Sequence, residues 1–189
     1  MSEGNGEDKA WTQDGLKALY TDKVWTYDLY RKSHSPGEAS IPHFLKLLKL
    51  MPGNEFCNTK GMTVIDWGCG PGRASKLLYE NGLNVTAIDF APNSLDENVR
   101  ELTQDNDNFR FIEHDITQPT TITSQLGYCC DVMEHLTEDT IDDTLEHILQ
   151  ASKDVFFQIA TRPDLAGKHP HIDEELHLTV HDYQWWLKK

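Results

Sequence analysis

Three glycines at alternate positions follow an acid in Asp66-Trp67-Gly68-Cys69-Gly70-Pro71-Gly72, between an apolar run (Met62 to Trp67) and a helical stretch beginning near Arg73. Glycine at such positions lets the backbone approach a ligand and adopt dihedrals that a Cβ disfavours, and the helix that follows offers unbonded N–H groups at its positive end. This is the chemistry of a ligand loop. A dinucleotide loop, G-x-G-x-x-G, would put its third glycine at position 73, which is Arg73, so the pattern here is D-x-G-x-G-x-G. Two more apolar runs end in acids: Val85 to Asp89, and Phe109 to Asp115. A carboxylate at a strand end can accept hydrogen bonds from hydroxyl or amino groups of a ligand, although Asp also punctuates turns.

Together these three segments resemble the cofactor motifs of class I S-adenosylmethionine-dependent methyltransferases. The resemblance implies S-adenosylmethionine as cofactor and a transferase activity. It implies that Asp66, Gly68, Gly70 and Gly72 form the cofactor loop, and that Asp89, followed by Phe90, accepts the ribose hydroxyls. Asp115, followed by Ile116, would meet the adenine amino group. The segment Cys130-Asp131-Val132-Met133-Glu134-His135-Leu136 resembles the acid-aliphatic-x-Glu-His-aliphatic sequence of small-molecule enzymes of the ubiquinone-biosynthesis kind. Backbone carbonyls near Cys130 and Asp131 would then meet the methionine amino group, with Glu134 and His135 toward the substrate. His135, Glu134 and His177 are the catalytic candidates, and three readings of His135 stay open: a general base, a metal ligand, or a ring hydrogen-bonded in place. The metal reading rests on a likeness of Asp131, Glu134, His135 and His177 to the set used by small-RNA 2'-O-methyltransferases, from which Asp131 departs by replacing a Glu. Methyl transfer to an oxygen or nitrogen of a small molecule is the expected function; a metal-dependent 2'-O-methyltransferase-like enzyme and a noncatalytic cofactor-binding or interaction protein are the alternatives. Farther on, His171 and His177 are candidates for lining the pocket, and Arg162 for pairing with a substrate carboxylate.

Composition narrows the partners. Of 189 residues, 17 are Lys or Arg and 31 are Asp or Glu, for a formal net charge of -14. Such a surface repels phosphate backbones, which argues against a nucleic-acid substrate. The four cysteines, Cys57, Cys69, Cys129 and Cys130, form no C-x-x-C pair and have no zinc-finger spacing, which suits reduced thiols in a cytoplasmic protein. Met1 to Lys9 lacks the basic patch and apolar run of a signal peptide, and no stretch reaches membrane-spanning length.

Positioning these residues requires an α/β frame. Apolar runs at Met62–Trp67, Val85–Asp89, Phe109–Asp115, Leu126–Val132 and Asp154–Ala160 alternate with helical segments at Ala74–Asn81, Asn93–Thr103 and Thr137–Ala151. This alternation predicts parallel strands with right-handed crossovers. The expected fold is a Rossmann-like, doubly wound, mostly parallel sheet of order 3-2-1-4-5, lacking the two final strands that the family usually adds. Residues 1–10 are expected to be a disordered tail, 11–52 a helical lid rich in Trp and Tyr, and 53–189 the cofactor-binding core of a single domain. The lid should break near Tyr20-Thr21-Asp22, where Thr21 or Asp22 could cap a second helix, with a turn over Ser33–Ala39 and an amphipathic helix over Ile41–Met51 ended by Pro52-Gly53. An apolar fifth strand at the sheet edge leaves the choice between a monomer whose edge is covered by the His-rich loop and a terminal helix near Val180–Lys188, and an edge-paired dimer.

Overall fold

The computed structural model describes residues 11–33, 36–50, 59–165, 168 and 170–189. The tail, Cys57, Pro52-Gly53, His169 and the boundary between lid and core lie outside them. Five parallel strands, β1 (Thr63–Trp67), β2 (Asn84–Asp89), β3 (Phe109–Glu113), β4 (Ser124–Cys130) and β5 (Ser152–Gln158), form one sheet of order β3-β2-β1-β4-β5. The order of the sheet agrees with the sequence expectation. Among the described residues no strand follows β5.

Alternate residues of each strand face opposite sides of the sheet, as the period of two requires. On one side Val64, Val85, Ala87, Leu126 and Tyr128 pack with Ile41, Phe44 and Leu48 of α3 (Pro36–Leu50) and Leu78 of α4 (Arg73–Glu80). On the other, Ile65, Trp67, Ile88 and Cys129 meet Ile141 and Ile148 of α6 (Ile141–Ala151), and Phe157 and Ile159 share this cluster with Trp185 and Trp186 of α7 (Tyr183–Trp186). Phe157, Ile159, Trp185 and Trp186 are partly buried and the other members of both clusters are buried, each buried Val, Leu, Ile or Phe among them being worth about 1.5–3 kcal/mol of transfer free energy. The sheet is thereby fixed as a rigid platform whose strand ends carry the site. The Tyr128 hydroxyl donates to the Gly37 carbonyl, which ties α3 to β4.

The N-terminal segment departs from the sequence reading. Helix α1 (Gln13–Leu19) runs without a break into a π turn, Tyr20–Val24, and the chain turns only at Trp25–Tyr27 before α2 (Asp28–Ser33). Thr21 and Asp22 therefore do not cap a second helix. Tyr20 and Val24 are both buried with Leu16 and Leu19, and keeping that face inward maintains the helical bonding through the segment. The expected turn at Pro36-Gly37 is likewise the start of α3, where proline suits a first turn because its missing N–H would be unbonded anyway.

The crossover helix α5 (Glu97–Leu102) is shorter than expected, because residues 91–96 run as a loop that holds the lid. Asp96 sits at the N-cap position without capping: its carboxylate instead accepts from Arg31 Nε (3.1 Å) and Arg73 Nε (2.6 Å). Arg31 also donates to the Asn93 carbonyl (2.9 Å), and Asn93 Nδ2 donates to the Thr21 carbonyl (2.8 Å). Half-buried, charge-assisted bonds of this kind fasten α2 and the π turn over the strand ends.

Candidate functional site

One cavity opens above the C-terminal ends of β1, β2 and β4, where the sheet order reverses and open α/β sheets place their ligands. Its floor is the glycine loop. Gly68 and Gly70 have φ of +67° and +51°, which favours glycine, and a Cβ on Gly68 would lie 2.6 Å from Val132. A Cβ on Gly70 would lie 3.0 Å from the Trp25 ring, so the lid rests directly on this residue. Gly72 behaves differently: it does not line the cavity, and a Cβ there would meet Leu95 and Val99 at 2.7 Å. Its role in the structure is to let α4 start close against α5, and the cofactor assignment made from the motif does not extend to it by geometry.

Asp89 links the loop to the second strand. Its Oδ2 accepts the Gly70 N–H (2.8 Å) and its Oδ1 the Ala91 N–H (2.9 Å), so each oxygen keeps a further lone pair for a ligand hydroxyl. Burial pushes its carboxyl up to about 6, against the pull of the backbone N–H groups of Ala91, Gly70 and Phe90. Asp66 is pushed up to about 7, again by burial, and accepts a hydrogen bond from the Ser75 hydroxyl. Asp115 lies two residues beyond β3 in a turn in which its Oδ1 takes the Thr117 N–H (3.0 Å) and hydroxyl (2.8 Å). Asp66, Gly68, Gly70, Asp89, Phe90, Asp115, Ile116 and Cys130 all line the one cavity. Burial raises the Cys130 thiol to about 12, so it faces the cavity as a neutral thiol.

The opposite end of the cavity is built from segments far apart in sequence: Tyr20 and Tyr30 of the lid, Asp131 and His135 after β4, and Asp164 and His177 after β5. Asp131 has φ of +56°, and His135 stands in a 3-10 turn, Met133–His135. His135 Nδ1 lies 2.7 Å from the Tyr20 hydroxyl and 2.8 Å from the Leu176 carbonyl, and burial together with neighbouring His177 pushes the imidazole down to about 4, keeping it neutral. Glu134 is fully buried and is not on the cavity wall. Its Oε1 accepts the Ala160 N–H (2.9 Å), and burial, reinforced by the charge of Asp131, pushes its carboxyl up to about 8. Tyr20 and Tyr30 are raised well above the usual phenol range, mainly by burial.

His171 and Arg162 do not reach the cavity. His171 is exposed and stacked on Tyr27 with ring centroids 4.7 Å apart, and Arg162 contributes its backbone carbonyl, which accepts from His177 Nδ1 (2.7 Å). Trp25 and Tyr30 both pack together and line the cavity, so core and site roles coincide in these rings. Sequence reasoning missed Gln13, Leu16, Gly37, His114 and Asp164, which the cavity also includes. Gln13, Leu16, Gly37 and Asp164 belong to no motif, and His114 lies inside the Phe109 to Asp115 segment, whose terminal acid alone was singled out. The helical period could have placed Leu16 on the buried face with Leu19 and Tyr20, but nothing local marks Asp164.

The methyltransferase domain family matches residues 64–154. No curated protein sequence matches the chain significantly. Solved structures with the same fold include the magnesium protoporphyrin IX methyltransferase of Synechocystis PCC 6803 with bound SAM, at TM-score 0.57, 17% identity, 77% of this chain and 74% of that one. A complex of DhpI with SAM and HEP aligns at TM-score 0.57 and 20% identity over 87% of this chain and 74% of that one. The N-methyltransferase NodS of Bradyrhizobium japonicum WM9, in complex with S-adenosyl-L-homocysteine, aligns at TM-score 0.53 and 17% identity over 72% and 67%. At these identities the structural likeness speaks to the fold alone. The chain thus carries a match to the methyltransferase domain family over residues 64–154, and its β3-β2-β1-β4-β5 sheet is similar in fold to these methyltransferase structures.

Proposed function

We propose that the protein transfers the methyl group of S-adenosylmethionine to an oxygen or nitrogen of a small molecule. The observation that carries this reading is the division of one cavity into two chemically distinct ends. At one end the glycine loop, Asp89 and Asp115 offer backbone approach and carboxylate acceptors suited to a nucleoside with ribose hydroxyls and an amino group. At the other, Tyr20, Tyr30, His135, Asp164 and His177 surround a space suited to a polar acceptor. The sulfonium methyl is already electrophilic, so the protein's main task is to align the acceptor with the methyl carbon and the sulfur. The lid, resting through Trp25 on Gly70, would exclude water from that line.

Solved relatives of the fold point the same way: one is a porphyrin methyltransferase and another an N-methyltransferase. The formal net charge of -14 supports a small molecule over a nucleic acid. No helix among the described residues is long and apolar enough to cross a membrane. The test is incubation of the full chain with methyl-labelled S-adenosylmethionine and a panel of hydroxyl- and amine-bearing small molecules. Label in a product, with stoichiometric S-adenosylhomocysteine, is the expected result. Binding of S-adenosylhomocysteine without turnover across the panel would favour a noncatalytic cofactor-binding protein.

A further inference from the structure

We propose that the acceptor bound at the far end of the cavity is an amine, held through its cationic character and methylated on nitrogen rather than on oxygen. This rests on the methyl-transfer reading and narrows it. Asp131 and Asp164 both line that end, and no Lys or Arg is among the described residues that line any part of the cavity. Arg162, the candidate partner for a substrate carboxylate, stays outside. An anionic substrate would meet two carboxylates with no Lys or Arg in the wall to offset them, whereas both attract a cation.

Hydrogen-bond polarity agrees with the charge. A backbone carbonyl can only accept, so the contacts of His135 Nδ1 with the Leu176 carbonyl (2.8 Å) and of His177 Nδ1 with the Arg162 carbonyl (2.7 Å) place the proton on Nδ1 in each ring. Each Nε2 is left as an acceptor. Two imidazole acceptors and two carboxylates in one wall suit a ligand rich in N–H donors.

Asp164 has the widest reach of the two acids. It comes from the loop after β5, and its charge acts on three neighbours: it adds to the burial that raises the Tyr20 and Tyr30 hydroxyls, and it raises His135 against burial and His177. Asp131, at φ +56° just beyond β4, acts on Tyr30 and on Glu134, whose Oε2 is buried without a hydrogen-bond partner. An ammonium on the cavity side of Asp131 supplies the counter-charge that this pair of carboxyls calls for. The rings of Tyr20 and Tyr30 line the same end, and aromatic rings attract cations.

The transfer step also favours nitrogen. The arriving ammonium first loses a proton to water. Its neutral nitrogen then attacks with its own lone pair: the nitrogen–carbon bond forms as the carbon–sulfur pair returns to sulfur, giving an N-methylated ammonium and S-adenosylhomocysteine. Positive charge thus develops on nitrogen beside Asp131 and Asp164, which are already in place to stabilise it. A hydroxyl would have to shed its proton as it attacks, and His135, held at about 4 by burial and His177, is a weak base for that task.

Matched probes test the assignment: the amine, the alcohol and the carboxylate built on each of the benzyl, phenethyl and cyclohexylmethyl skeletons. Calorimetry on the full chain, free and saturated with S-adenosylhomocysteine, reads binding, and methyl-labelled S-adenosylmethionine reads transfer. At least one amine should bind about 10-fold or more tighter than its alcohol and its carboxylate, and should receive the label on nitrogen. In Asp164→Asn that preference should shrink to about threefold or less while S-adenosylhomocysteine affinity stays within about threefold of wild type, and Asp164→Glu, which keeps the charge, should retain it. Circular dichroism establishes that each variant is folded. No amine binding, an alcohol or carboxylate bound as tightly as its amine, or a preference unchanged in folded Asp164→Asn overturns the proposal. Label on an alcohol oxygen alone overturns it too and leaves the methyl-transfer reading standing. Amine selectivity without any transfer supports the amine site and counts against the methyl-transfer reading.

Discussion

The two ends of the cavity are made in opposite ways. The nucleoside end draws on contiguous motifs at successive strand ends, Asp66 to Gly70, Asp89-Phe90 and Asp115-Ile116, joined by backbone bonds such as that from Gly70 N–H to Asp89. The acceptor end brings Tyr20, His135 and His177 together from the lid, the β4 exit and the loop after β5, joined by side-chain contacts such as that between the Tyr20 hydroxyl and His135. Residues near in sequence write a motif; residues brought together by tertiary packing do not. Variation at the first end should therefore change cofactor binding, and variation at the second should change transfer.

The largest effect is expected at Gly68. Alanine there combines a left-handed backbone, φ +67°, with a Cβ only 2.6 Å from Val132. The two costs, about 1–2 kcal/mol for the dihedral and about 1–3 for overpacking, should lower unfolding stability by roughly 2–5 kcal/mol in urea titrations. Gly82→Ala supplies the contrast: φ is +89°, but the nearest atom is Lys60 Cα at 3.4 Å, so only the dihedral cost of about 1–2 kcal/mol is expected. Equal losses at the two positions would mean that Val132 yields and the loop is not tightly packed.

Next comes Asp89. Asp89→Asn keeps the size but removes the charge, and should weaken S-adenosylhomocysteine binding by about 1.5–3 kcal/mol, the range for hydrogen bonds to charged groups. Since Asp89 also accepts two backbone N–H groups, Asp89→Ala is expected to loosen the Gly70 loop as well, seen as faster amide exchange at Gly70 and Ala91. His177→Ala should do the reverse of Asp89→Asn, leaving cofactor affinity within about threefold while reducing transfer.

A smaller effect is expected from pH. Burial raises Asp66 to about 7 and Asp89 to about 6, both above the unfolded value of 3.8. Between the unfolded and folded values the native state holds more protons than the unfolded state, so this contribution is fully present below about pH 4 and is lost as pH rises to about 7. In Asp66→Asn the ligand-free protein should gain more thermal stability at pH 8 than at pH 5. The reverse order would show that Asp66 is ionised and stabilised by its partner Ser75.

These comparisons also explain what could be read without coordinates. All five strands lie within two residues of their expected starts, because apolar runs of strand length bounded by glycine and polar turns leave few alternatives. The lid was less legible. Thr21 and Asp22 have the chemistry of an N-cap, but the burial of Tyr20 and Val24 overrides it; Asp96 occupies a cap position, but Arg31 and Arg73 take its carboxylate. At the site, eight of the nine cofactor candidates line the cavity, and Gly72 does not because its missing side chain serves helix packing. The partners of His135 could not be read at all: Tyr20 lies 115 positions away and the Leu176 carbonyl carries no side-chain signal.

The central claim is that the glycine loop and Asp89 hold a nucleoside cofactor while the histidines act elsewhere. Calorimetric titration of S-adenosylhomocysteine into the wild-type chain, Asp89→Asn and His177→Ala tests it most directly. The account predicts one bound equivalent in the wild type, affinity reduced roughly 10- to 150-fold in Asp89→Asn, and near-wild-type affinity in His177→Ala. Absence of binding in the wild type, or equal affinity in wild type and Asp89→Asn, would contradict it.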